Sequence, residues 1–238
     1  MHLVLEDYTS VLAVVAHPDD AEYLFGGFIA KLSKQGATIN YVVCTDGARS
    51  GSDLEASDAQ IAGTRAAEQR AAAEILGVSD ISFLGYSNGS LENTPELRHD
   101  IVREIRRFRP TLILTLPPHR ITDGPNHINH WEHIAVGQAT LIAAFPEAPN
   151  ARSFPDLARD GFRPHRVSEI WIPAFEDADR FIDVSEVIDT KLAAYRCHES
   201  QNGGERWDFE DEMAPIMRAA GRKVAARYAE AYLALVTG

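Results

Sequence analysis

Residues 11–27 read VLAVVAHPDDAEYLFGG, and the change of character at residue 17 decides the fold. Val11–Ala16 is an aliphatic run with no polar alternation, the pattern of a strand covered on both faces. It breaks into His17-Pro18-Asp19-Asp20. From about Ala21 to Gln35 the apolar positions then recur at helical spacing, and Gly36 stands where that helix would end. Outward from this stretch the alternation repeats. Strand-length runs occur at Ile39–Cys44, Ile81–Leu84, Thr111–Leu116 and Ile170–Ile172, separated by helical patterns at about 58–76, 95–108 and 131–145. Gly77 sits at the C-cap of the second helix, and Thr94-Pro95 reads as N-cap and first position of the third. The expected fold class is α/β: a Rossmann-like, doubly wound, mostly parallel sheet with helices on both faces. Residues 146–166 read as a long surface excursion, Phe181–Ser185 as a further short strand, and Val187–His198 and the Ala-dense Met213–Val236 as helices. No linker divides the chain, so residues 1–238 are expected to form a single domain.

Composition narrows the class of protein. The 238 residues carry 23 Lys+Arg against 35 Asp+Glu, a net charge of −12, with no clustered basic stretch. That argues against nucleic acid as a partner, since phosphate contacts need Lys and Arg on one face. No apolar run approaches the ~20 residues of a membrane span. The opening MHLVLEDYTS lacks Lys and Arg, and Val11–Ala16 is too short for a signal-peptide core. Cys44 and Cys197 are far apart with no CxxC spacing, so the expected setting is a reducing, cytoplasmic one.

Doubly wound sheets bind ligands at the carboxyl ends of their strands, which puts the residues after the first and fourth strands at the centre of interest. After the first come His17 and Asp20, three apart at a strand-to-helix turn, able to offer one imidazole nitrogen and one carboxylate oxygen to Zn²⁺. Asp19 between them is placed to stay unligated and serve as a general base. The competing reading is that the two aspartates only cap the following helix. After the fourth strand come His119, His127, His130 and His133, four of the nine histidines, with Glu132 among them. A catalytic zinc centre takes three protein ligands plus water, and a histidine from this loop would complete the set. Taken singly, each is also readable as a surface histidine. The absence of GxGxxG after the first strand speaks against a dinucleotide-binding protein.

The string AHPDDAEYLFGG closely resembles the AHPDD-x-E-x-x-x-GG signature of the PIG-L / LmbE-like superfamily of zinc-dependent N-acetylglucosaminyl deacetylases. The resemblance continues in Thr45-Asp46-Gly47, in TRAAEQRAAAEILG from Thr64, in the histidine loop and in His198-Glu199-Ser200-Gln201, spanning about residues 11–201. It implies that His17 and Asp20 are zinc ligands and Asp19 the general base. The family's His-Pro-Asp-His corresponds here to His130-Trp131-Glu132-His133, departing at its two inner positions. On that register His133 is the third ligand and His130 stabilises the oxyanion or protonates the leaving amine. Glu132 stands for an aspartate that orients a histidine. The alternative register, His127/His130, has the same spacing. His130/His133 is preferred because Ile134-Ala135-Val136-Gly137 continues as an amphipathic helix. Arg65 resembles an arginine that holds substrate oxygens, against the plainer reading of an exposed ion pair with Glu68. His198 is expected to line the site or to cap a helix. Trp131 and Trp207 are each readable as sugar-stacking or as core.

The resemblance implies a hydrolase that removes the N-acetyl group from an N-acetylglucosamine-type small-molecule conjugate. It also implies assembly as trimers or hexamers. The alternatives are an amidase on a larger acyl or thiol conjugate, or a non-catalytic metal- or nucleotide-binding protein. The acceptor-binding surface is expected in loops 49–63 and 146–166.

Overall fold

The computed structural model describes residues 8–51, 54–119, 128–174 and 177–237. Seven strands form one sheet in the order β3-β2-β1-β4-β5-β7-β6. β1 (Ser10–Val15) is central and pairs in parallel with β2 (Thr38–Thr45) on one side and β4 (Leu112–Thr115) on the other. β3 (Asp80–Tyr86) and β5 (Glu169–Pro173) extend the parallel part outward. Strand order reverses between β1 and β4, so a crevice opens beyond their carboxyl ends. Val11 to Ala16 are fully buried, as the unbroken aliphatic run predicts.

α1 (Asp20–Lys34), α2 (Asp58–Leu76) and α6 (Ile188–Arg196) pack together, and α3 (Pro95–Phe108) packs against α4 (Trp131–Ile142), giving the sheet its helical layers. The expected punctuation is present. Gly77 takes the left-handed C-cap of α2, and the Thr94 hydroxyl accepts from the Leu97 N–H ahead of Pro95. Ser57 and Gln60 add a capping box at the start of α2. Cys44 is core, its thiol pushed far up by burial. Among the described residues no helix is long and apolar enough to cross a membrane.

One expectation is corrected. Met213–Val236 is not one helix: Phe209–Glu212 and Ala214–Gly221 are short helices, and Ala229–Val236 forms β7. β7 runs antiparallel to both β5 and β6 (Arg180–Asp183). Alternate residues Tyr228, Glu230 and Tyr232 are buried. Glu230 accepts from the backbone N–H groups of Gly27 and Phe28 and pairs with buried Lys191, while the Tyr232 ring packs 5.6 Å from Phe28. Those buried partners demand a period of two, and they override the helix propensity of an Ala-, Glu- and Leu-rich segment. The excursion at 146–166 holds α5 (Pro155–Arg159) and packs on α3, where Arg98 pairs with Glu147 and His99 with Asp156. Arg106, near the end of α3, donates to the carbonyls of Glu147, Ala148, Asn150 and Ser153, and His165 bonds to Pro110 just before β4. These contacts seat the excursion along α3 as far as the start of β4.

Candidate active site

His17, Pro18 and Asp19 form the turn between β1 and α1 at the crevice. Asp20 is held by its own loop, its Oδ2 accepting from the N–H groups of Ala16 (3.1 Å) and His17 (2.8 Å). The carboxylate thus points back toward the strand. Asp19, at the N-cap, makes no side-chain cap bond among the described residues. Neither aspartate caps α1, and the capping reading is set aside.

α4 brings the second cluster. Gly137 lets this helix lie directly on the end of β4, where any Cβ would collide with the Leu116 carbonyl. That seating places His130 at the helix N-cap and His133 in its first turn. His133 Nε2 lies 3.1 Å from Asp20 Oδ1, and His17 Nδ1 lies 3.5 Å from Asp20 Oδ2. The opposite ring nitrogens are occupied: His17 Nε2 donates to Glu132 (2.8 Å), and His133 Nδ1 meets Asn129 Oδ1 (3.1 Å). Each imidazole is therefore oriented from behind, with its free nitrogen turned to the same carboxylate. Potential ligand atoms of His17, Asp20 and His133 all lie within 4.8 Å of one another. Two imidazoles and one carboxylate, all largely buried and converging, fit a divalent transition metal.

His130 is exposed, its ring 4.7 Å from that of His17. Burial of part of the ring, reinforced by the charges of His17 and His133, lowers its pKa and favours the neutral form. His119 is exposed and belongs to no group able to hold a metal among the described residues. His127, and with it the alternative register, lies outside the described residues.

Glu132 fills the orienting role expected of it and does more. Besides His17 it accepts from Asn88 Nδ2 (2.6 Å) and from the backbone N–H groups of Gly89 and Leu91 (2.9 and 3.0 Å). Burial opposes its charge, but these donors prevail and hold its carboxyl near a pKa of about 2. Burial likewise works against charge on His17, yet Asp20, Glu132 and Asp19 raise it to about 9. Asp20 is drawn well below the usual carboxylate range, since His133 and His17 outweigh its burial.

Asp19 stands beside this group, its side chain 21 % exposed and bonded to Arg65 (3.1 Å). Burial and the neighbouring Asp20 charge lift its pKa to about 6, against the pull of Arg65. A carboxylate with that environment is suited to accept a proton near neutral pH. Arg65 is no exposed helix ion pair. It is buried and donates to the carbonyls of Pro18 and Gly47 and to Ser50. Gly47, with φ 65°, makes room for it, because a Cβ there would come within 2.6 Å of the guanidinium. Glu68 instead accepts from the N–H and hydroxyl of Ser200. His198 is fully buried and caps no helix; its Nε2 meets Glu22 at 3.1 Å, and its Nδ1 has no partner among the described residues. Trp207 is core, edge-on to Tyr195. Trp131 is 57 % exposed, its indole N–H tied to the Leu91 carbonyl. Asn88 and Asn129 carry no motif signal, and only the folded arrangement reveals them; Gln69 lies within the TRAAEQRAAAEILG stretch, but its contact with the Asp19 N–H shows only in the fold.

A largely buried His/Asp/His set at the switch point of a parallel sheet, with the Arg65-paired Asp19 carboxylate beside it, is a candidate centre for a metal-dependent hydrolase. Residues 12–144 match the PIG-L (GlcNAc-PI de-N-acetylase) family, and the chain belongs to that family. It is 33 % identical over 226 residues to the diacetylchitobiose deacetylase of Thermococcus kodakarensis, covering 94 % of this chain and 82 % of the relative. It is 30 % identical to the 1D-myo-inositol 2-acetamido-2-deoxy-alpha-D-glucopyranoside deacetylase of Rhodococcus erythropolis, covering 80 % of each. The solved N,N'-diacetylchitobiose deacetylase of Pyrococcus horikoshii superposes with a TM-score of 0.89 at 26 % identity, covering 98 % of this chain and 86 % of that one.

Proposed function

We propose that this chain is a zinc-dependent deacetylase, a single domain over residues 1–238, that releases acetate from the N-acetylglucosamine unit of a small-molecule conjugate. The observation that carries the reading is the convergence of His17, Asp20 and His133 beside an unligated Asp19. The chemistry in the names of the relatives supports it. Bound there, Zn²⁺ would polarise the amide carbonyl and ease ionisation of water at neutral pH. Asp19 takes the proton of the attacking water as the new C–O bond forms. His130, exposed at the N-cap of α4, donates a ring N–H to the carbonyl oxygen as negative charge gathers on it. The C–N bond then breaks, the proton held by Asp19 passes to nitrogen, and the acetic acid formed gives up its proton to the amine, leaving acetate and the ammonium product. Arg65, buried with its N–H groups given to Asp19, Pro18, Gly47 and Ser50, serves to fix the Asp19 carboxylate and does not reach substrate oxygens as the resemblance implied, and the fully buried His198 supports Glu22 and does not touch substrate. Trp131 offers an open indole face on the rim, placed to stack on a sugar.

Protein purified without added metal is expected to hold about one zinc per chain, with Fe²⁺ able to replace it. A panel of N-acetylated amino sugars and glycosides, including N,N'-diacetylchitobiose, should yield free amine, and a chelator should abolish the yield. Absence of bound transition metal together with indifference to chelator would overturn the reading. A preference for longer acyl groups in the same panel would favour amidase action instead. Assembly as a trimer or hexamer belongs to the same proposal, and light scattering that gives a mass near 26.2 kDa at micromolar concentration would refute it. With both cysteines free, we place the enzyme in the cytoplasm.

A further inference from the structure

The Pro18–Asp19 peptide is gripped at both ends by one face of α2. Arg65 donates to the Pro18 carbonyl, and one turn on, Gln69 Oε1 accepts from the Asp19 N–H at 3.0 Å. Gln69 is fully buried, and its Nε2 donates at 3.0 Å to each oxygen of Glu22, itself fully buried. The network sets the orientation of this amide, because Glu22 needs a donor and the Asp19 N–H an acceptor. Only a side chain with both, at that length, bridges the two.

The peptide needs such a grip. Asp19 has φ 105°, a left-handed conformation that L-residues other than Gly rarely adopt and that persists only when its surroundings enforce it. That turn sends the carboxylates of Asp19 and Asp20 to different partners, Asp19 to Arg65 and Asp20 to His17 and His133. We infer that Gln69 is a positioning residue for the reaction proposed above, holding the strained Asp19 peptide so that its carboxylate meets the attacking water. The inference rests on Asp19 being the base.

The test is a double-mutant cycle of Gln69→Leu with Asp19→Asn, reading kcat, KM and metal per chain on N,N'-diacetylchitobiose or whichever N-acetylated sugar the panel shows is turned over. With Asp19 present, Gln69→Leu should lower kcat about 10- to 100-fold, as misplacement of a reacting group by an ångström does, with KM and zinc content close to wild type. With Asp19→Asn already in place, the same change should cost almost nothing further, because no base remains to be misplaced. A packing role would lower both backgrounds by the same factor, and that result overturns the inference. In Gln69→Glu one carboxyl oxygen still accepts from the Asp19 N–H, and a proton shared with Glu22 replaces the amide donor; this is the second variant and serves if the leucine variant does not fold. It should retain kcat within about three-fold of wild type, whatever its melting temperature, and a loss as deep as that expected for leucine also overturns the inference. Should Asp19→Asn alone leave kcat intact, it is the assignment of the base that fails.

Discussion

Asp19→Asn should keep its zinc and lose its turnover, whereas Asp20→Ala should lose the zinc itself. The two residues are neighbours in sequence, but the left-handed turn at Asp19 separates their tasks. Asp20 faces His17 and His133 and is one of the three proposed donors, so its removal would leave two imidazoles that cannot close a tetrahedral site. Asp19 faces Arg65 at 3.1 Å, and asparagine preserves its size while abolishing its basicity. General base catalysis contributes about 10²–10⁴ in rate, so the loss for Asp19→Asn should fall in kcat with KM little changed. Metal analysis and steady-state kinetics on the two variants read the outcome directly. Full activity in Asp19→Asn would remove it from the mechanism. An emptied site in Asp19→Asn beside a full one in Asp20→Ala would exchange the two roles.

Glu132→Ala carries the largest expected cost to the fold. Its carboxylate is the shared acceptor for His17, Asn88 and the backbone N–H groups of Gly89 and Leu91, and it is almost wholly buried. Deleting it strands four donors in a closed space and leaves the ring of His17, which these acidic neighbours keep charged, without its closest counter-charge. Breaking a buried ionic network from one side costs about 3–5 kcal/mol. Metal affinity should fall about 10- to 100-fold as well, since His17 loses the group that fixes its tautomer. Urea unfolding of the metal-free protein reads the first effect and zinc titration the second. Glu132→Asp, which restores the family's usual residue, keeps the charge but shortens its reach by one methylene, and should fall between the two. An unfolding midpoint for Glu132→Ala equal to that of wild type would show that the loop at 88–91 is held by something else.

The fold class was legible because a strand buried on both faces leaves an unbroken aliphatic run, and because Gly36, Gly77 and Thr94-Pro95 mark ends of the first three helices. The candidate metal set was legible because its three side chains sit in two short local motifs, HPDD and HWEH, each following a strand. What stayed hidden depends on partners distant in sequence. Glu132 looked like a one-methylene departure from a pattern, yet it organises the loop at 88–91, some forty residues earlier. Arg65 and Glu68 are spaced to pair with each other, but the fold turns Arg65 inward to Asp19 and gives Glu68 to Ser200.

By itself, then, the sequence determined the parallel sheet, its order of strand and helix, and the residues able to bind a metal, since these follow from local periodicity and short motifs. Only tertiary structure decided that Ala229–Val236 is a strand, because burial of Glu230 and Tyr232 against α1 enforces a period of two on residues whose own preference is helical. It alone also decided the bearing of Asp19, which depends on the grip of Arg65 and Gln69 from α2 on a peptide whose φ of 105° no local preference would choose.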